Sequence, residues 1–229
     1  MIRLVVFDMA GTTVDDAFSV HDAMIRAFDQ YGLTIDRETA SQAIAVPKPV
    51  GIHRILTLLG QESPYLETLL LTAFKSHMRN YYANDPGVQE VPGASALFSK
   101  LKEQNIQIGL DTGFDRELAD VILQRLQWID HGFIDASVAS DEVRHGRPHP
   151  AMIFALMERA GIQRPDQVVK VGDTPTDIEQ GRRAQCRLTI GRYSGAFPEQ
   201  ALINAGADAV VTDILDILPI LHEAKVGSR

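Results

Sequence analysis

Ile2-Arg3-Leu4-Val5-Val6-Phe7-Asp8-Met9-Ala10-Gly11-Thr12-Thr13-Val14-Asp15 is the stretch on which the fold turns. Its first half is a short apolar run with one basic interruption, the pattern of a strand covered on both faces. The run ends on a carboxylate and a loop rich in glycine and threonine. Asp8 therefore leaves the carboxyl end of a buried strand, with backbone amides near it for anionic oxygens. Similar runs recur at residues 106–110, 167–171, 187–190 and 208–211. Residues 94–104, 116–127, 150–160, 176–184 and 214–224 carry apolar side chains at three- and four-residue spacing, the helical period. From about residue 92 onward strand and helix alternate, which predicts an α/β fold with a parallel sheet and helices on both faces.

Residues 17–88 break that alternation and read as helical throughout. Residues 20–31 and 65–82 have the clearest amphipathic period, and Asn84-Asp85-Pro86-Gly87 punctuates the way back to the alternating region. The expected organisation is an α/β core with a parallel sheet over residues 1–16 and 89–229, interrupted by an all-helical insert over 17–88. Open α/β sheets bind ligands at the carboxyl ends of their strands, so the insert is expected near that edge.

The bulk properties narrow the function. The chain has 229 residues, 45% of them apolar and 23% charged, as in ordinary globular proteins. No apolar run approaches the roughly 20 residues that span a bilayer, so no membrane partner is expected. Thirty acids against 22 bases leave a net charge of −8, the wrong sign for a general nucleic-acid binder. A single cysteine, Cys186, and no visible export signal give a cytoplasmic location as the expectation.

Three further segments place chemistry at strand ends. Gly109-Leu110-Asp111-Thr112-Gly113-Phe114 offers a hydroxyl and a glycine amide. Val171-Gly172-Asp173-Thr174-Pro175-Thr176-Asp177 offers two acids four residues apart, and His145-Gly146-Arg147-Pro148-His149-Pro150 offers an arginine before a proline-led helix. Acids, a hydroxyl and a cation gathered in this way suit a phosphoryl group held against a divalent cation.

In this order and spacing, Asp8-x-x-Gly-Thr, Thr112, Arg147 and Gly172-Asp173-x-x-x-Asp177 resemble the four motifs of the haloacid dehalogenase superfamily, across essentially the whole chain. The resemblance implies a Rossmann-like core, Asp8 as the nucleophile, and Mg²⁺ held by Asp8, the Ala10 carbonyl and Asp173. It implies phosphoryl oxygens bound by Thr112, the Gly113 amide and Arg147, with Asp177 and Thr12 behind them. The helical insert then resembles a C1-type cap, with a homodimer through the cap as a possible assembly.

Two departures narrow the resemblance. Superfamily phosphatases usually carry a second Asp two residues after the nucleophile, and here that position is Ala10. The usual motif-three Lys is Arg147. With the string Asp-x-Ala-Gly-Thr-Thr-Val-Asp, both features resemble the phosphonoacetaldehyde hydrolases, or phosphonatases. Those enzymes also use a cap lysine, for which this sequence offers Lys48, and a cap histidine, for which His53 stands five residues on where the family pattern has three. Phe18 and Phe114 stand where phosphonatases tend to carry Cys and Tyr.

The replacements make chemical sense together. Breaking a P–O ester leaves an alkoxide that an acid can protonate. Breaking a C–P bond leaves a carbanion that needs an electron sink, and a lysine iminium two bonds away supplies one. The sequence implies a small phosphonate or phosphate-ester substrate and leaves open a phosphomonoester hydrolase of the same fold, or a phosphate-binding protein with a relic site.

Overall fold

A computed structural model describes residues 1–15, 19–44 and 46–226 of the chain. The chain divides into two compact units, Met1–Asp15 with Gln89–Arg229, and Asp16–Val88.

The first unit is built on a six-stranded parallel sheet: β1 (Leu4–Asp8), β2 (Gln107–Thr112), β3 (Ala136–Ala139), β4 (Val168–Gly172), β5 (Leu188–Arg192) and β6 (Ala209–Val211). Their order across the sheet is β3-β2-β1-β4-β5-β6. The chain steps outward from β1 through β2 to β3, then returns to the other side of β1 with β4. The strand order thus reverses beside β1, and such switch points are where open sheets hold ligands. All five residues of β1 are buried, and the same holds for β4, as expected of strands covered on both faces. In register Asp8 pairs with Asp111 on β2, and Phe7 pairs with Val171 on β4. The three motif-bearing strands therefore end at one level.

The helices α5 (Ala94–Glu103), α6 (Arg116–Leu126), α7 (Ala151–Arg159), α8 (Pro175–Arg183), α9 (Glu199–Ala205) and α10 (Ile217–Val226) complete this unit. One face of the sheet packs Leu4, Val6, Val138 and Val168 against Met152, Ile153, Leu156 and Met157 of α7. Two elements have no counterpart in the sequence reading, β3 and α9. Ala136-Ser137-Val138-Ala139 is too short and too poor in β-branched residues to declare itself.

The second unit contains α1 (Ser19–Asp29), α2 (Arg37–Ala40), α3 (Lys48–Leu59) and α4 (Pro64–Asn84), with a 3₁₀ turn at Ser41–Ala43 and no strand among its described residues. Its core includes Met24, Ala27, Phe28, Ile52, Ile55, Leu56, Leu70, Phe74 and Met78. The prolines around Lys48 do not make a loop. Pro47 caps α3 and Pro49 falls in its first turn, where a missing N–H costs nothing, so Lys48 is the first residue of a helix.

Candidate active site

The loop after β1 is a tight turn in which the amides of Thr12, Thr13 and Val14 all donate to the Met9 carbonyl, at 3.2, 2.9 and 2.8 Å. The Thr13 hydroxyl donates to the Asp8 carbonyl at 2.9 Å, fixing the backbone that carries the Asp8 side chain. Gly11 has φ +80°, and a Cβ built on it would lie 2.2 Å from Asp173 Oδ2. Only glycine lets this turn pass so close to that carboxylate.

Asp8, Asp173 and Asp177 are buried and present oxygens within 4.8 Å of one another. Asp173 accepts from the Thr12 hydroxyl at 3.2 Å and from Ser194 at 2.8 Å. Asp177 is the third residue of α8, where its carboxylate and Thr174 make reciprocal capping bonds. Gly172 keeps the strand end close to it, since a Cβ there would fall 2.3 Å from the Asp177 side chain.

Arg147 ties these acids together. Its Nη2 lies 2.5 Å from Asp8 Oδ1 and 2.6 Å from Asp111 Oδ1, and its Nη1 lies 3.0 Å from Asp177 Oδ1. Nη2 also donates to the Asp111 carbonyl at 2.9 Å. A second cation, Lys170 of β4, is fully buried and sits 2.5 Å from Asp111 Oδ1 and 3.1 Å from Asp177 Oδ1.

Burial pushes the Asp8 carboxyl up to about 6, against the pull of Arg147 and with the repulsion of Asp177. Asp173 is held well above the ordinary carboxylate range, first by burial and then by Asp8 and Asp177. Asp177 also feels burial, but Arg147 and Lys170 outweigh it and hold its pKa below the usual value. Desolvation works against the charge on Arg147, and Asp111, Asp177 and Asp8 more than reverse that effect.

The acids fit a divalent cation. Among the described residues, the cluster sets Arg147 and Lys170 against Asp8, Asp111, Asp173 and Asp177. Within this set of six the acids outnumber the cations by two, the charge of one such ion, and Asp8 and Asp173 are the two whose pKa values are raised. Oxygen donors of this kind are the hard ligands that Mg²⁺ prefers.

Thr112 is buried at the end of β2, one residue beyond the partner of Asp8, and its hydroxyl oxygen accepts from the Phe114 amide at 3.1 Å. Gly113 is exposed, with nothing within 4 Å of where a Cβ would be. Ala10 is half-buried in the turn after β1 and bridges to Val14. Phe114 is buried, and Phe18 lies outside the described residues.

Two expected site residues belong to the other unit. Lys48 Nζ donates to the Ala43 carbonyl at 2.8 Å and stands 6.0 Å from the centre of the Phe74 ring. His53 Nδ1 is 2.8 Å from Glu67 Oε1, so this ring nitrogen is engaged within the helical unit.

Sequence reasoning missed Asp111, Lys170, Ser194 and Arg192, whose Nη1 donates to the Gly11 carbonyl at 2.6 Å. For Lys170 a signal existed: a charge inside Val168-Val169-Lys170-Val171, a strand predicted to be buried on both faces, demands buried partners.

A family model for haloacid dehalogenase-like hydrolases matches residues 2–185. The chain belongs to that family. Its sequence is phosphonatase-like within it: a phosphonoacetaldehyde hydrolase from Bacteroides fragilis is 31% identical over 204 residues, covering 80% of this chain and 73% of the relative. Among solved structures, a phosphonoacetaldehyde hydrolase-like protein from Oleispira antarctica superposes with a TM-score of 0.85 at 22% identity, covering 97% of this chain and 92% of that one. A structure described as a predicted phosphoglycolate phosphatase from Haemophilus somnus gives 0.83 at 20% identity, with 96% and 98% covered. At these identities the two structures speak for the fold alone.

Proposed function

We propose that this hydrolase transfers a phosphoryl group to Asp8 and then to water, and that its substrate is a 2-oxo-alkylphosphonate such as phosphonoacetaldehyde. The observation that carries the reading is Ala10. A buried carboxylate nucleophile has, two residues on, a methyl group in place of the acid that would protonate an ester oxygen. A C–P bond makes that acid dispensable, and the name of the Bacteroides relative points the same way.

In this reading Asp8 attacks phosphorus. Arg147, fixed by Asp8, Asp111 and Asp177, faces the phosphoryl oxygens together with the Thr112 hydroxyl and the Gly113 amide. Asp8, Asp173 and the Ala10 carbonyl would hold Mg²⁺, which when bound offsets negative charge on the phosphoryl group. Asp177 and Thr12 brace that set. The Lys48 amine condenses with the 2-oxo carbon and expels water. The electron pair of the breaking C–P bond passes into the resulting iminium and gives an enamine. Protonation at carbon and hydrolysis then release the carbonyl product and restore Lys48, while water cleaves the aspartyl phosphate. To begin, Lys48 must lose a proton and leave the Ala43 carbonyl; an ordinary lysine is neutral only about once in a thousand near pH 7.4.

That hydrogen bond favours one alternative, a phosphomonoester hydrolase in which Lys48 stays bound within the helical unit. A panel of phosphonates and phosphate esters, read by phosphate release, separates the two. C–P cleavage predicts phosphate from 2-oxo-phosphonates, lost in Lys48→Arg, and a reduced adduct on Lys48 after borohydride with substrate. An unmodified Lys48 and ester hydrolysis indifferent to Lys48→Arg overturn the Schiff-base step.

A further inference from the structure

We propose that Lys170 is a positioning residue: with Asp111 it sets the charge that Arg147 presents to the phosphoryl group. This rests on the reading of Asp8 and Arg147 as the phosphoryl site. Lys170 lies on β4 three residues before Asp173, with its side chain wholly buried and too deep to touch substrate. Its register partner is Val6, two residues before the nucleophile. Its ammonium and the Arg147 guanidinium share the same two oxygens, Asp111 Oδ1 and Asp177 Oδ1. The four groups thus form a closed ring of alternating charge.

The ring has a consequence for binding. Arg147 faces three carboxylates, and without a second cation its charge would be spent on them. Lys170 supplies the second positive charge against Asp111 and Asp177, so the ring as a whole is neutral and Arg147 does not have to offset both acids alone. A buried lysine in an apolar strand is costly unless such partners are present, and a purely structural role would be filled better by an aliphatic residue. Charge balance explains why Lys170 and Asp111 stand together on the two strands that flank β1, where sheet burial is complete.

Isothermal titration of inorganic phosphate into the Mg²⁺-loaded full chain tests this. Lys170→Met should weaken phosphate by about tenfold or more, the scale of one unit charge in a medium of intermediate dielectric. Asp111→Asn, which keeps a carbonyl for Arg147 but removes a negative charge, should tighten it or leave it unchanged. The double variant should return toward wild type. With substrate, Lys170→Met should raise KM more than it lowers kcat. Weaker phosphate binding in both single variants, or no rescue in the double, overturns the proposal by assigning Lys170 to scaffolding alone. If Lys170→Met fails to fold, Asp111→Asn and the double carry the same test. A wild-type protein that binds no phosphate with Mg²⁺ overturns the phosphoryl-site reading itself, whereas wild-type binding with indifferent variants overturns only the role of Lys170.

Discussion

At the scale of single residues, Gly11 shows how tightly the loop after β1 is drawn. Its φ of +80° is one that side chains resist, and the space for a Cβ is already taken by Asp173. Arg192 holds the Gly11 carbonyl, so the turn has little room to relax. Gly11→Ala should cost about 1–3 kcal/mol of stability through strain and overpacking. It should also displace the Asp173 carboxylate and abolish the Mg²⁺ response in a calorimetric titration. Asp8→Asn gives the complementary result: it should fold normally yet form no phosphoryl adduct, read by mass spectrometry after trapping with substrate. Asp8, Thr112 and Asp173 were legible in the sequence because each ends or follows a buried strand in a string with chemical meaning, and Arg147 because it precedes a proline-led helix. Asp111, Ser194 and Arg192 were not, because a polar side chain beside a motif declares its partner only when strands distant in sequence are set in register.

Elements were legible in proportion to their period. β1, β2 and β4 carry short, largely apolar runs, and their positions follow from burial on both faces. β3 does not, and beside its ladder to β2 it is anchored by side chains. Glu142, just past β3, accepts from the Ala139 amide at 2.6 Å, from Arg116 of α6 at 2.8 Å and from Arg159 of α7 at 3.1 Å. Burial pushes its carboxyl up, but the Ala139 amide and the two arginines prevail and its pKa lies below the ordinary 4.5. A carboxyl whose folded pKa is depressed stabilises above its unfolded pKa and loses that contribution as pH falls through the folded one. Glu142→Gln should therefore lower the melting temperature near pH 7. The gap from wild type should narrow as the medium is acidified below about pH 4.5. A gap independent of pH would mean that the network holds β3 by shape alone. The start of α3 was hidden for the opposite reason: two prolines suggest a loop, yet both are compatible with the opening turn of a helix.

For the whole molecule, the decisive quantity is charge concentrated in one place. A net charge of −8 over 229 residues is mild, but the strand ends of the first unit gather four carboxylates around two buried cations. Functional sites are where a fold keeps such unfavourable arrangements, and a divalent cation held by these acids would relieve this one. A ligand that binds only the folded state adds about 2.7 kcal/mol at a hundredfold excess over its Kd. Mg²⁺ should accordingly raise the melting temperature of the wild-type chain, and a chelator should reverse the gain. Asp173→Asn separates the two halves of this argument. Removing one of the crowded acids should make the metal-free chain at least as stable as wild type, because burial, Asp8 and Asp177 all act against a charge on Asp173. The same change should erase the Mg²⁺-dependent rise, because an amide is a poor substitute for a charged oxygen ligand. Thermal scans of both proteins with and without Mg²⁺ read the two effects side by side. A metal-free variant less stable than wild type would show that the Thr12 and Ser194 hydrogen bonds to Asp173 outweigh the repulsion, and that the acids are held together by their donors as much as by an ion.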